Sequence, residues 1–267
     1  MRVPDYEVFA LRYGSMDRRV ADNFLMRAAL DDHDGPMPLD FFLWAIVGGG
    51  RVVVVDTGFG EAVAQRRGRR LIRHPVDMLA RLGVDAAAVP DVVITHLHYD
   101  HAGSLDRFGA ATFHLQDAEM AYATGRCMCH GALRHAFEVE DVVAMVRKVH
   151  AGRVRFHDGD AELAPGITLH RIGGHTAGLQ VVRVHTGRGW VVLAADAAHY
   201  YGNLDGNPFP LVHDVAAMLE GHRRLGELAD SPDHIVPGHD PLVLERYPRH
   251  PAGPEDIACL HLEPTAG

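Results

Sequence analysis

The sequence predicts a mixed α/β (α+β) fold in which sheets are covered by helices. Three observations carry this reading. β-rich runs and helix-periodic stretches interleave along the chain, neighbouring β-rich runs follow one another with no helix between them, and four such runs end in a potential metal ligand. The second observation excludes a purely doubly wound sheet, because parallel neighbours there need a crossover helix. No repeat, low-complexity tract or Pro/Ser-rich linker interrupts the pattern, so residues 1–267 read as one domain.

In chain order, residues 41–47 and 51–55 are β-rich and separated by Gly48-Gly49-Gly50, the signature of a hairpin. Asp56-Thr57-Gly58 closes the second strand. A helix is expected over 76–82, stopped by Gly83. A short apolar strand, 92–95, then runs into His96-Leu97-His98-Tyr99-Asp100-His101. Residues 116–151 look helical, with Val142, Met145, Val146 and Val149 on one face. Strands are expected at 167–172, 179–184 and 190–195. Asp214 can cap a last long helix with Val215, Met218, Leu219, Leu225 and Leu228 as its apolar side. A final strand, 234–236, leads into Pro237-Gly238-His239.

Composition narrows the function. The chain is 47% hydrophobic and 23% charged, which excludes disordered, collagen-like and coiled-coil classes. No apolar run approaches the roughly 18 residues of a membrane span, so no membrane partner is expected. The start, MRVPDYEVFA, lacks a basic-then-apolar export segment, and three cysteines cannot all pair, so a reducing cytoplasm is the expected compartment. A net charge of −9 argues against nucleic acid as a partner. A homodimer is expected from the base rate for soluble enzymes.

Histidine carries the chemistry. The chain holds 20, many of them at the ends of apolar runs. The four β-like runs end at His96, His175, Asp196 and His239, and strand ends along one sheet edge hold side chains rigidly at a cleft. With His98, Asp100 and His101, seven ligand-type residues gather there. In extended or turning backbone, alternate residues face one way, so His96 and His98 can share an ion while Asp100 and His101 turn toward a second position. Imidazole and carboxylate suit Zn²⁺, and also Mn²⁺, Fe²⁺ or Co²⁺.

His96-x-His98-x-Asp100-His101, preceded by Asp56-Thr57-Gly58 and followed by Gly174-His175-Thr176-Ala177-Gly178, Asp196 and Gly238-His239, resembles the metallo-β-lactamase superfamily from about residue 41 to residue 239. The resemblance implies a four-layer αββα sandwich with two divalent metal ions per chain, zinc foremost. By the family pattern His96, His98 and His175 hold the first ion, Asp100, His101 and His239 the second, and Asp196 bridges them. Two such ions about 3.5–4 Å apart supply an activated water and polarise a carbonyl. Asp56 is expected to orient a ligand histidine, and Asp100 to move a proton to the leaving oxygen.

Within the superfamily, Asp196 counts against true β-lactamases, which place a different residue there. The 28 residues after His239 in the 267-residue chain are too few for the glutathione-binding domain of glyoxalase II enzymes, and flavin-binding relatives need an extra domain. The tRNA-processing nucleases need a basic surface, whereas the one dense basic run, Arg66-Arg67-Gly68-Arg69-Arg70, reads as a solvated helix face. The remaining resemblance is to the N-acyl homoserine lactonases, making a small lactone or ester the expected substrate. Those lactonases carry a Tyr three residues after the bridging Asp. Here His199 stands there, followed by Tyr200, and either is a candidate catalytic hydrogen-bond donor. That departure keeps another metal-dependent esterase, thioesterase or catabolic lactonase in play. Met16, Phe24, Leu25, Met26, Met120, Tyr122 and Met128 are candidates for an apolar pocket, and Cys127-Met128-Cys129-His130 reads as a loop with free thiols.

Overall fold

The computed structural model describes residues 3–25 and 34–265; Met26, a candidate pocket residue, lies outside them. Thirteen strands are found among the described residues. The first sheet holds β1 (Glu7–Met16), β2 (Leu39–Gly48), β3 (Arg51–Val55), β4 (Arg70–Leu71), β5 (Asp91–Val93), β6 (Thr112–Gln116), β7 (Val154–His157) and β13 (Ile257–Cys259). The second holds β8 (Ala161–Ala164), β9 (Ile167–Arg171), β10 (Gln180–Thr186), β11 (Gly189–Ala195) and β12 (Ile235–Pro237). The predicted hairpin is β2–β3, with Gly48 paired to Arg51. β3, β5, β6 and β7 then run parallel. In the second sheet β9, β10 and β11 alternate in direction and β12 runs parallel to β11.

Period-two alternation sorts β2 between two cores. Phe42, Trp44 and Ile46 face the second sheet and pack with Leu169, Val182, Val184 and Leu193. Phe41, Leu43 and Ala45 face outward against Met78, Leu79 and Met145 of the helical layer. On the far side, Val181, Val192 and Ala194 meet Leu225 and Leu228 of the helix Val215–Leu228. The layers are therefore helix, sheet, sheet, helix. Each fully buried large apolar side chain stabilises this arrangement by about 1.5–3 kcal/mol.

The helix over 76–82 is Pro75–Arg81, and Asp214 caps Val215–Leu228 by accepting from Ala217 N at 3.0 Å. Two expectations change in detail. The helical region 116–151 is not continuous: Asp117–Thr124 stops at Gly125, and Val139–His150 starts anew after Glu138, with short turns between. His234 lies in a 3-10 turn, so the last strand begins at Ile235. No helix among the described residues is long and apolar enough to cross a membrane.

Asp141, in the first turn of Val139–His150, carries an unfavourable charge. Burial, reinforced by Glu138, pushes its pKa up to about 7, although Arg66 and Arg67 pull the other way. Its Oδ2 is buried without a hydrogen-bond partner. Between the ordinary carboxylate range and about 7 the folded state binds the extra proton, so stability is lost as pH rises through that window. Asp141→Asn is expected to melt higher than the parent at pH 8, the difference closing below pH 5; thermal unfolding across that range checks it.

Candidate metal centre

The site forms because strands that run the same way end at the same edge. Asp56 leaves β3 and His96 follows its parallel neighbour β5; His175, Asp196 and His239 follow β9, β11 and β12. Asp100 and His101 lie on the one-turn helix Tyr99–Ala102. Two side-chain-bearing residues take left-handed backbone here, Asp56 at φ 64° and Ala195 at φ 43°, a strain that the surrounding packing holds.

All seven predicted residues meet, and all are buried. His96 Nε2 and His175 Nε2 lie 3.0 and 2.9 Å from His98 Nδ1. Asp196 Oδ2 is 3.2 Å from His175 Nε2 and 3.8 Å from His96 Nε2. Its other oxygen, Oδ1, is 2.9 Å from His239 Nε2 and 3.2 Å from His101 Nε2. Asp100 Oδ2 stands 3.8 Å from His239 Nε2 and 3.6 Å from His101 Nε2.

Hydrogen bonds on the outer side of the rings fix which nitrogen faces inward. His239 Nδ1 donates to the Asp40 carbonyl and His175 Nδ1 to the Leu211 carbonyl, each at 2.7 Å. His101 Nδ1 donates to Asp56 Oδ2 at 2.7 Å. Thr95 Oγ1 spends its proton on Asp56 Oδ2, so it accepts from His96 Nδ1 at 3.1 Å. In neutral imidazoles the inward nitrogens of these four rings are then unprotonated. They face one another, His98 Nδ1 and a carboxylate, an arrangement of acceptors that a divalent cation satisfies. His101 Nε2 is accordingly left without a hydrogen-bond partner in the protein. Metal–nitrogen bonds of about 2.0–2.1 Å in a tetrahedron put donors about 3.3 Å apart, which the observed spacings bracket. The residues fit divalent metal ions.

The electrostatics divide the rings: burial lowers His101 and His239, but Asp196 outweighs it and raises both above the usual imidazole range, so positive charge is favoured on that side. Burial pushes His96 and His98 well below the usual imidazole pKa, helped by neighbouring histidines. Burial alone raises Asp196, but His239, His101 and His199 outweigh it and hold the carboxylate well below its usual range. Asp56 is raised by burial against the pull of His101 and Thr95.

His199 and Tyr200 part company. His199 Nε2 lies 2.9 Å from Asp196 Oδ2, and the ring stacks on Phe209 with centroids 3.5 Å apart. Burial pushes its pKa down to about 3, so it is neutral. Tyr200 instead packs in the core beside Phe24 and donates to the Pro38 carbonyl at 3.2 Å, leaving His199 as the one of the pair aimed at the carboxylates.

The cleft above Asp100 and Asp196 has a volume of about 170 Å³. Met16 lines it; Met120, Tyr122 and Met128 pack with the core under the helical layer instead, and Leu25 is exposed. The basic run is a correction. Only Arg66 and Arg67 end the helix Glu61–Arg67, and Arg67 and Arg69 turn into the cleft rather than forming a solvated face. Gly68, in left-handed backbone, reverses the chain between them. Cys127, Cys129 and Cys259 are free thiols, as expected.

Glu119 escaped the sequence reading. Its Oε1 accepts from Leu97 N at 2.9 Å, and Oε2 accepts from Thr176 Oγ1 at 2.6 Å and Gly178 N at 3.1 Å. One buried carboxylate thus ties the His96–His98 segment to the His175 turn. Gly178 is required because a Cβ there would sit 2.0 Å from Glu119 N.

A four-layer sandwich with seven histidine and aspartate donors at one sheet edge defines the class of metal-dependent hydrolases. The chain belongs to the metallo-β-lactamase superfamily, whose family model matches residues 42–239. It is 29% identical to a probable metallo-hydrolase of Mycobacterium bovis over 72% of this chain and 69% of that one. It is 25% identical to the N-acyl homoserine lactonase AttM of Agrobacterium fabrum over 92% and 98%. The solved structure of a quorum-quenching N-acyl homoserine lactone lactonase superposes with a TM-score of 0.73 at 23% identity, covering 90% of this chain and 94% of that one. AidC, a dizinc quorum-quenching lactonase, gives 0.67 at 18% identity over 90% of each.

Glu119→Gln places an amide NH₂ against donors it cannot accept from. Zinc affinity is expected to fall about 10–100-fold, read by competition with a chromogenic chelator; unchanged affinity would reject the tie between the two segments.

Proposed function

We propose that the chain opens small lactone rings with two divalent cations, zinc foremost, within one hydrolase domain. His96, His98 and His175 hold one ion and Asp100, His101 and His239 the other, with Asp196 giving Oδ2 to the first and Oδ1 to the second. The observation that carries this reading is the split of Asp196: Oδ2 faces His175 Nε2, and Oδ1 faces His101 and His239 Nε2. Once bound, the ions supply an activated water and Lewis acidity toward the ester carbonyl.

The protein's own groups do the rest. Asp56, Thr95, Asp40 and Leu211 fix the ligand rings, so little reorganisation is needed during reaction. His199, neutral and held against Phe209, places Nε2 on Asp196 Oδ2, and that N–H would turn to an ester oxygen seated there once a cation takes the carboxylate oxygen. Asp100, at the cleft wall, moves a proton to the leaving oxygen. The named relatives make N-acyl homoserine lactones the first substrates to try. A second reading, another ester or a catabolic lactone, is favoured by His199 in the lactonase Tyr position and by the guanidinium groups in the cleft.

Zinc- or cobalt-loaded protein is expected to hydrolyse γ-lactones, followed by acid release and the mass gain of one water, with a chelated control silent. Asp196→Asn should lose metal and activity together, because an amide bridges two cations poorly; two metals per chain at full rate in that variant would remove the bridging assignment. His199→Phe should lower kcat with metal content unchanged. Parental kinetics in His199→Phe would make that ring a wall of the cleft only.

A further inference from the structure

The cleft carries more cationic character than a neutral substrate needs. Arg18, Arg67 and Arg69 line it, and the carboxylates lining it, Asp100 and Asp196, are both metal donors. Arg67 is spent on structure. It pairs with Glu138 at 2.6 Å, donates to the His135 and Phe137 carbonyls, and lies over the Tyr99 ring at 4.1 Å. Glu138 is further claimed by Arg66, so it neutralises no other group in the cleft.

Arg69 is held differently. Nε donates to the Tyr99 hydroxyl and Nη1 to the Arg67 carbonyl, both at 2.9 Å. Bonds from opposite flanks of the planar fork fix its plane, and Nη2, between them, makes no hydrogen bond among the described residues. No carboxylate of the described residues pairs with it. Tyr99 sits between His98 and Asp100, so this guanidinium is anchored directly to the metal-binding segment. Arg18 uses Nη2 on the Asp22 carbonyl at 2.5 Å, leaving Nε and Nη1 without a partner among the described residues.

We propose that Arg69, with Arg18 in the same cleft, binds a carboxylate on the substrate, so that the ester opened here is an acidic lactone. The inference rests on the lactone reading above and sharpens its second form. A rigid guanidinium whose Nη2 is uncommitted recognises an anion better than an acyl chain, which gains nothing from N–H donors. Hydrolysis then adds one water across the ring: the acyl C–O bond breaks, the carbonyl carbon takes the hydroxyl, the alkoxide takes the proton, and the product is a hydroxy-dicarboxylate.

The test compares a γ-lactone bearing a ring carboxylate with its carboxamide on zinc-loaded protein. The acid is expected to show at least tenfold higher kcat/KM, through KM, with the preference shrinking as salt rises. Arg69→Gln should bring the acid-to-amide ratio to about one, and Arg69→Lys, which keeps the charge but not the fork, should fall between. Arg18→Gln guards against a folding defect at position 69. Calorimetric binding of the ring-opened dicarboxylate against its mono-amide gives a second readout, again at least tenfold apart in the parent and equal in Arg69→Gln. Silence on both lactones would remove the lactone reading while binding still decides the arginine. Equal kcat/KM for acid and amide, or equal affinities for diacid and mono-amide, would overturn the proposal.

Discussion

Asp196 is the constraint on which the rest of this structure turns. A carboxylate buried among His96, His101, His175 and His239, with His199 Nε2 also 2.9 Å away, is costly without positive charge between them. The fold supplies the rigidity that keeps it there. β11 delivers Asp196 through a strained residue, Ala195, while β5, β9 and β12 deliver the rings from both sheets. Because the two sheets meet through an inter-sheet core of fully buried side chains, moving one ligand means shifting a sheet. Divalent metal binding would thus relieve a polar arrangement that hydrophobic packing enforces.

Outer hydrogen bonds convert that packing into chemistry. Asp56 accepts three bonds, from Thr95 N, Thr95 Oγ1 and His101 Nδ1, and so links β3 to the ligand segment after β5. Glu119 does the same between that segment and the turn after β9. Burial opposes both charges, raising both pKa values, and the bonds they accept offset part of that cost. Charged groups in such positions do more for uniqueness of geometry than for stability, since an apolar replacement would pack as well but leave the ligand turns free.

What was legible in the sequence was whatever is dense along the chain. The His96–His101 cluster, the Asp56 turn, the hairpin at Gly48-Gly49-Gly50 and the Asp214 cap each declare themselves within a few residues. β1 did not, although it spans Glu7–Met16 in the first sheet, because Arg12 interrupts its apolar run; the structure neutralises that arginine with Asp40 and Asp256, both distant in sequence. β6 and β7 are short, and their pairing is set by neighbours rather than by alternation. Glu119 reads as a solvent-facing acid near the start of a helix, and only the fold puts Leu97 and Gly178 against it. Isolated polar residues reveal roles through contacts, and contacts are not local.

The Arg66–Arg70 run shows the same limit from the opposite side, since its density invited the wrong inference. A basic stretch at a helix end is solvated unless something turns the chain, and Gly68 does so by adopting φ 62°. Before it Arg66 and Arg67 both pair with Glu138, and the turn then brings Arg69 beside Arg67 against Tyr99. Tyr99 belongs to the ligand segment, so the same six residues that supply the metal donors also fix the guanidinium. The donors are set by the superfamily pattern, whereas the wall opposite them is set by one glycine and two arginines. Discrimination between substrates would therefore arise in that wall, where a charge change leaves the candidate metal ligands untouched.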